Sequence, residues 1–182
     1  MEKTIEKSII KVVLIGSEST GKTELTEFLA KEYKTNSVPE FAREYIENLN
    51  RPYNYEDVEY IARQQVALES EYLLKAKKII FYDTYLIITK IWFEIVYKRV
   101  PEWIDKRIKN CNIDLFLLCN NDIEWIPDSV RENGGEMRDK LFKIYEDELI
   151  KYGFNYRIVK GKGENRINCA LNHIYELIDQ KK

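Results

Sequence analysis

Lys22 and Thr23 close the octet Gly16-Ser-Glu-Ser-Thr-Gly-Lys-Thr23, which fits the phosphate-binding spacing G-x-x-x-x-G-K-[ST]. Gly16 and Gly21 let the backbone turn so that the amides of Ser17, Glu18, Ser19 and Thr20 can face inward around a nucleotide β-phosphate. Lys22 adds a mobile cation for the β- and γ-phosphates, and the Thr23 hydroxyl is placed to ligate Mg2+. Asp83 ends the apolar run 78–83, as the acid of a Walker B segment does, and is expected to hold the same metal directly or through water. Without the loop, Asp83 would read as a cap for the next helix.

A second set of residues surrounds this pair. Glu40 and Arg43 follow a short extended piece, 35–39, where small kinases place the groups that receive an acceptor hydroxyl; a surface ion pair is the plainer alternative. Arg131 and Arg138 flank Gly134-Gly135, so a lid spanning about 121–138 is expected to carry them over the phosphates. Trp125, in a polar loop, either plugs the core or stacks on a ligand base. Arg166 is expected to reach the adenine region or cap the phosphates, with an exposed helix start as the alternative. His173 has no partner histidine and receives no chemistry.

The elements that must position these groups are legible in the apolar spacing. The run 9–15 is β-branched and suits a buried parallel strand, and 22–33 carries Leu25, Phe28, Leu29 and Tyr33 at helical intervals. Helices are expected over 40–46, over 55–76 with Asn54 as N-cap, over 86–96, from Pro101, and over 136–152 with Gly153 as the stop. Gln64 and Gln65 interrupt the apolar face of the second of these. Further strands are expected at 78–83, 114–119 and 155–159, followed by a terminal helix capped by Asn165. Alternating strands and helices predict an α/β fold with a parallel sheet and helices on both sides. In such sheets ligands sit beyond the carboxyl ends of the strands, where the octet, Glu40, Asp83, Asn120 and Gly161 all emerge.

At 182 residues the chain is expected to form one domain with no internal repeat or linker. A net charge of −2 gives no global attraction to nucleic acid or anionic membranes. Cys111, Cys119 and Cys169 lack metal or disulfide spacing and read as thiols of a reducing compartment. No apolar run approaches a membrane span and the start lacks a signal-peptide core, so a cytoplasmic location is expected, with neither membrane nor nucleic acid as partner.

The octet, Glu40-Phe-Ala-Arg-Glu-Tyr45, Asp83-Thr84, Glu124-Trp-Ile-Pro-Asp-Ser-Val-Arg131 and Arg138 together resemble the ribosylnicotinamide kinase domain of bacterial NadR-type proteins. The resemblance runs through nearly the whole chain. It implies a nucleoside-kinase-like P-loop fold, ATP with Mg2+, and transfer of the γ-phosphoryl group to the ribose 5′-hydroxyl of nicotinamide riboside. In these terms Lys22, Glu40, Asp83, Arg131 and Arg138 serve catalysis; the octet and Arg166 hold ATP; and Glu40, Arg43, Trp125 and Asp128 face the acceptor. Three positions depart from the family pattern: Pro39 replaces an aromatic, Tyr85 an acid and Ser129 a glycine. Pro39 implies an acceptor held through its ribose, with Trp125 or Tyr85 the alternatives for stacking. The length leaves no room for adenylyltransferase or DNA-binding portions, and neither activity is expected. Kinases for other nucleosides or nucleotides, and a regulatory NTPase with a protein partner, are the competing readings.

Overall fold

The computed structural model describes residues 9–128 and 131–181. Five strands, β1 (Ile10–Ile15), β2 (Ser37–Val38), β3 (Ile79–Asp83), β4 (Leu115–Cys119) and β5 (Tyr156–Val159), form one sheet in the order β2-β3-β1-β4-β5, every pairing parallel. Parallel neighbours require crossovers, and these are supplied by helices α1 (Lys22–Glu32), α2 (Phe41–Glu47), α3 (Tyr55–Leu73), α4 (Leu86–Trp92), α5 (Glu102–Lys109), α6 (Glu136–Tyr152) and α7 (Glu164–Gln180).

Both faces of the sheet are covered, which explains why its central strands are apolar without alternation. Val13, Ile15, Ile80, Tyr82, Phe116 and Leu118 pack with α3, α4, α5 and α6. Val12, Leu14, Phe81, Leu115 and Leu117 pack with Leu25 and Leu29 of α1 and with Ala170, Ile174 and Leu177 of α7. Leu14 is fully buried on the central strand, so Leu14→Ala would cost about 2–5 kcal/mol.

The ends of the elements depart from the sequence expectation in two places. Helix α4 stops at Trp92 and one π-helical turn, Phe93–Tyr97, completes the expected 86–96 segment. That wider turn keeps Phe93 in the core while Ile95 and Val96 face a cleft. Helix α7 begins at Glu164, with Gly163 at φ 53° as its cap in place of Asn165, because the chain leaves β5 through a left-handed turn. Asn54 caps α3 as expected: its side chain accepts from the Asp57 amide while Asp57 accepts from the Asn54 amide.

Candidate functional site

The register of the sheet brings the site together. Leu14 lies beside Asp83 in the β1–β3 pair, so the octet that follows β1 and the acid that ends β3 leave the same edge. Gly16 admits no side chain, because a Cβ there would stand 2.8 Å from the Cys119 carbonyl at the end of β4. Ser19 and Gly21 turn the loop through positive φ, 56° and 70°, and α1 starts directly after it. Loop amides and the positive end of α1 therefore converge on one point.

The hydroxyl of Thr23 donates to Asp83 Oδ2 at 2.6 Å, and Asp83 Oδ1 is buried with no partner. Burial raises the Asp83 carboxyl above its ordinary range, against the pull of Lys22 and the Thr23 hydrogen bond. A buried carboxylate oxygen with no hydrogen-bond donor on its lone pairs, beside a hydroxyl, fits a hard divalent cation. Thr23 and Asp83 are the residues that would hold Mg2+, which when bound would neutralise phosphate charge. The Lys22 ammonium folds onto the Ser17 carbonyl at 2.8 Å. Ser17 and Thr20 are buried and turn their hydroxyls onto Asn121 and the Ser17 carbonyl.

Glu40 stands at the N-cap of α2 and lines the same cleft as Lys22. Burial raises its carboxyl, with Asp83 and Glu18 adding to the effect and Lys22 and Arg43 opposing it. A residue not anticipated as functional fixes it from behind. Gln65 of α3, buried, accepts from the Phe41 amide at 2.9 Å and donates to the Pro39 carbonyl at 3.1 Å, so both neighbours of Glu40 are clamped.

The cleft has a volume of about 350 Å³, within the range of small-molecule sites. Its polar end is the octet with Glu40, Arg43 and Arg131. Its apolar lining includes Ile88, Ile91, Ile95, Val96, Tyr53 and Trp92. The Tyr53 and Trp92 rings meet edge to face at 4.9 Å, and the Tyr53 hydroxyl donates to Glu132 at 3.1 Å. Sequence reasoning missed this lining. Ile88, Trp92 and Ile95 have ordinary core spacing, and nothing local ties them to Tyr53.

Several expected groups lie elsewhere. Trp125 does not line the cleft: its ring packs against Gly134, where a Cβ would come within 3.1 Å of it. Tyr85 is buried against Phe116 at 5.8 Å. Arg138 is buried and donates to the carbonyls of Glu18, Ser19 and Ile123, so it braces the octet from outside and does not reach over the phosphate position; burial lowers its pKa. Arg166 is likewise 4% exposed, donating to Thr20, Asn120 and Gly161 carbonyls and to Asp122 at 2.7 Å. Both arginines cap carbonyls that the sharp loop leaves without helical partners. Arg131 does line the cleft, held by Asp128 and by the Ile126 carbonyl. Asp128 is occupied by Arg43 and Arg131. Ser129, the third departure from the family pattern, lies outside the described residues. No described helix is long and apolar enough to cross a membrane.

Comparison with known proteins agrees with this architecture. The family described as AAA domain matches residues 11–166. The trifunctional NAD biosynthesis/regulator protein NadR of Salmonella typhimurium is 26% identical over 144 residues, which are 77% of this chain and 35% of that protein. The chain thus spans about a third of the length of that curated relative. A crystal structure of NadR protein in complex with NR superposes with a TM-score of 0.80 at 24% identity, covering 93% of this chain and 51% of the other. Thymidylate kinase from Ehrlichia chaffeensis superposes at 0.63 with 16% identity, covering 93% and 99%. The parallel sheet with its phosphate loop is thus a P-loop kinase fold, and the chain belongs to the AAA domain family, where its resemblance is to NadR-type proteins.

Proposed function

We propose that this protein is an ATP-dependent kinase that transfers the γ-phosphoryl group to the 5′-hydroxyl of nicotinamide riboside, giving nicotinamide mononucleotide. The observation that carries the reading is that Glu40 lines one cleft together with Lys22 and Thr23, whose hydroxyl is held by Asp83, and with the rings of Tyr53 and Trp92. Phosphoryl transfer asks mainly for positioning and charge neutralisation. The octet amides and Lys22 hold the β- and γ-phosphates, and Arg131, in the lid at about 121–138, neutralises charge on the group in transit. Glu40 accepts the hydrogen bond of the 5′-hydroxyl and takes its proton as the new ester forms. The raised pKa of Glu40 suits a base that must take that proton.

The name of the superposed NadR structure, which holds NR, supports nicotinamide riboside as the first acceptor to try. Where Pro39 offers no flat face, Trp92 and Tyr53 supply one, so a stacked ring is the reading adopted for the base. The test is ADP release and product mass with ATP, Mg2+ and a panel of nicotinamide riboside, uridine, cytidine, adenosine and thymidine. Release stimulated by nicotinamide riboside, with product heavier by one phosphoryl group, supports the proposal. Release indifferent to every nucleoside would favour a regulatory NTPase instead.

A further inference from the structure

Glu18 is an acid in the middle of a loop whose remaining groups suit a polyphosphate, and its carboxylate has a different set of partners. Oε2 accepts from the Asn133 amide at 2.9 Å; Oε1 accepts from the Asn133 side chain at 3.0 Å and the Glu132 amide at 3.2 Å. The contact is extended by neighbours. Ser19 Oγ accepts from the Ile126 amide at 3.1 Å and donates to the Glu124 carbonyl at 3.2 Å, while Arg138 holds the carbonyls of residues 18 and 19. Loop positions 18 and 19 thus clasp Glu124, Ile126, Glu132 and Asn133, and Arg131, which lines the cleft, directly precedes the two amides that Glu18 holds.

We propose that Glu18 is a positioning residue that sets Arg131 over the phosphate end of the cleft by pinning the Glu132 and Asn133 amides to the loop. This rests on the reading that the cleft takes ATP. A carboxylate beside a polyphosphate is repelled by it, so phosphate arrival favours the position Glu18 already takes against the donors of Glu132 and Asn133. Charge-assisted hydrogen bonds to an ionised acceptor are about twice as strong as neutral ones, which makes this side chain the firm point of the clasp. Nucleotide binding and the hydrogen bonds from Glu132 and Asn133 to Glu18 are therefore linked through one side chain, and each favours the other.

The test is amide hydrogen exchange in the full chain, wild type against Glu18→Ala and Glu18→Gln, with and without Mg2+ and a non-hydrolysable ATP analogue. In the wild type the analogue slows exchange at residues 132 and 133. In Glu18→Ala, exchange at both amides rises about tenfold, as loss of hydrogen bonds to a charged acceptor implies, and the analogue no longer slows it. Glu18→Gln keeps one acceptor oxygen and restores protection at one of the two amides. Turnover of Glu18→Ala falls in kcat while KM for ATP changes little, because the loop amides are intact. A role in stability alone would speed exchange throughout α6 and leave kcat per folded molecule unchanged. Unaltered exchange at 132 and 133 in ligand-free Glu18→Ala overturns the clasp by itself. Failure of the analogue to slow loop amides 19–23 in the wild type overturns the ATP reading, and with it the role given to Arg131.

Discussion

The Arg43 guanidinium donates to the Asp128 carboxylate at 2.7 Å, joining the first turn of α2 to the segment that follows β4. Both side chains were expected to face an acceptor; Arg43 does line the cleft, and Asp128 is turned onto Arg43 and Arg131. The pair is exposed enough that its contribution to stability is small, about 0–1 kcal/mol. Its value lies in setting the distance between α2 and the 120–135 segment. Arg43→Ala is expected to lower acceptor kcat/KM about tenfold with thermal stability nearly unchanged, and Asp128→Ala to do the same. A double-mutant cycle on kcat/KM checks it: the double variant should be no worse than either single one, and full additivity would show that the two act separately.

Asp83 carries a different signature. Its carboxylate is buried with one oxygen unpaired, and burial raises its pKa, so the charge is unfavourable until a cation arrives. Asp83→Asn should therefore raise the melting temperature of the ligand-free protein by a few degrees while lowering kcat by about a hundredfold or more. Calorimetry of both proteins with and without Mg2+–ATP is the measurement. Destabilisation of the ligand-free variant would mean that the Thr23 bond, and not a metal, is what the acid serves.

How much of this was readable before folding differs between the two halves of the cleft. The octet, its strand and its helix are contiguous, and Asp83 ends an unmistakable apolar run, so local pattern sufficed. Tyr53 and Trp92 are far apart in sequence, and only the folding of the approach to α3 against the end of α4 brings them together. Arg138 and Arg166 were misplaced for another reason. A cation near a glycine-rich turn has the same sequence appearance whether it meets phosphate or bare carbonyls, and burial decides for carbonyls. Gln65 looked like a flaw in an apolar face because its partners, Pro39 and Phe41, lie in another helix's approach.

Trp92 tests the apolar lining. Aromatic stacking on a base is worth about 1–3 kcal/mol, so Trp92→Ala should reduce kcat/KM for nicotinamide riboside about tenfold to a hundredfold. The nicotinamide ring is cationic and an aromatic face attracts it beyond stacking, so uridine and adenosine should lose less, narrowing the ratio between acceptors. No loss for any acceptor would make Trp92 a packing residue.

Glu69 lies outside the cleft, in a cavity of about 100 Å³ between α3 and α5. Its Oε1 is buried without a partner and Arg107 stands off at 3.7 Å, so burial raises its pKa to about 7 against the partial relief of Arg107 and Lys11. An acid raised in the folded state binds more protons folded than unfolded. Its contribution to stability is therefore full below the unfolded pKa and is lost as pH rises through about 7. The span is worth about 3 kcal/mol at most. Melting curves at pH 5 and pH 8 should show wild type falling between them and Glu69→Gln falling less, with the two proteins diverging on the alkaline side. Parallel curves would place the proton elsewhere.

The clamp on Glu40 gives the last test. Gln65 uses its carbonyl on the Phe41 amide and its NH2 on the Pro39 carbonyl, so a substitute must offer one acceptor and one donor at the same reach. Leucine offers neither, and leaves two main-chain groups unsatisfied beside a carboxylate that must meet a hydroxyl within a few tenths of an ångström. Gln65→Leu is expected to lower kcat about tenfold to a hundredfold with little change in KM for ATP, because the octet is untouched. Gln65→Glu keeps the acceptor for Phe41 but adds a second negative charge behind Glu40, raising its pKa further. The alkaline-rising limb of kcat against pH should then move upward in Gln65→Glu and keep its position in Gln65→Leu. A limb that stays fixed in both variants would remove Glu40 from the proton-transfer step and leave it as a binding group.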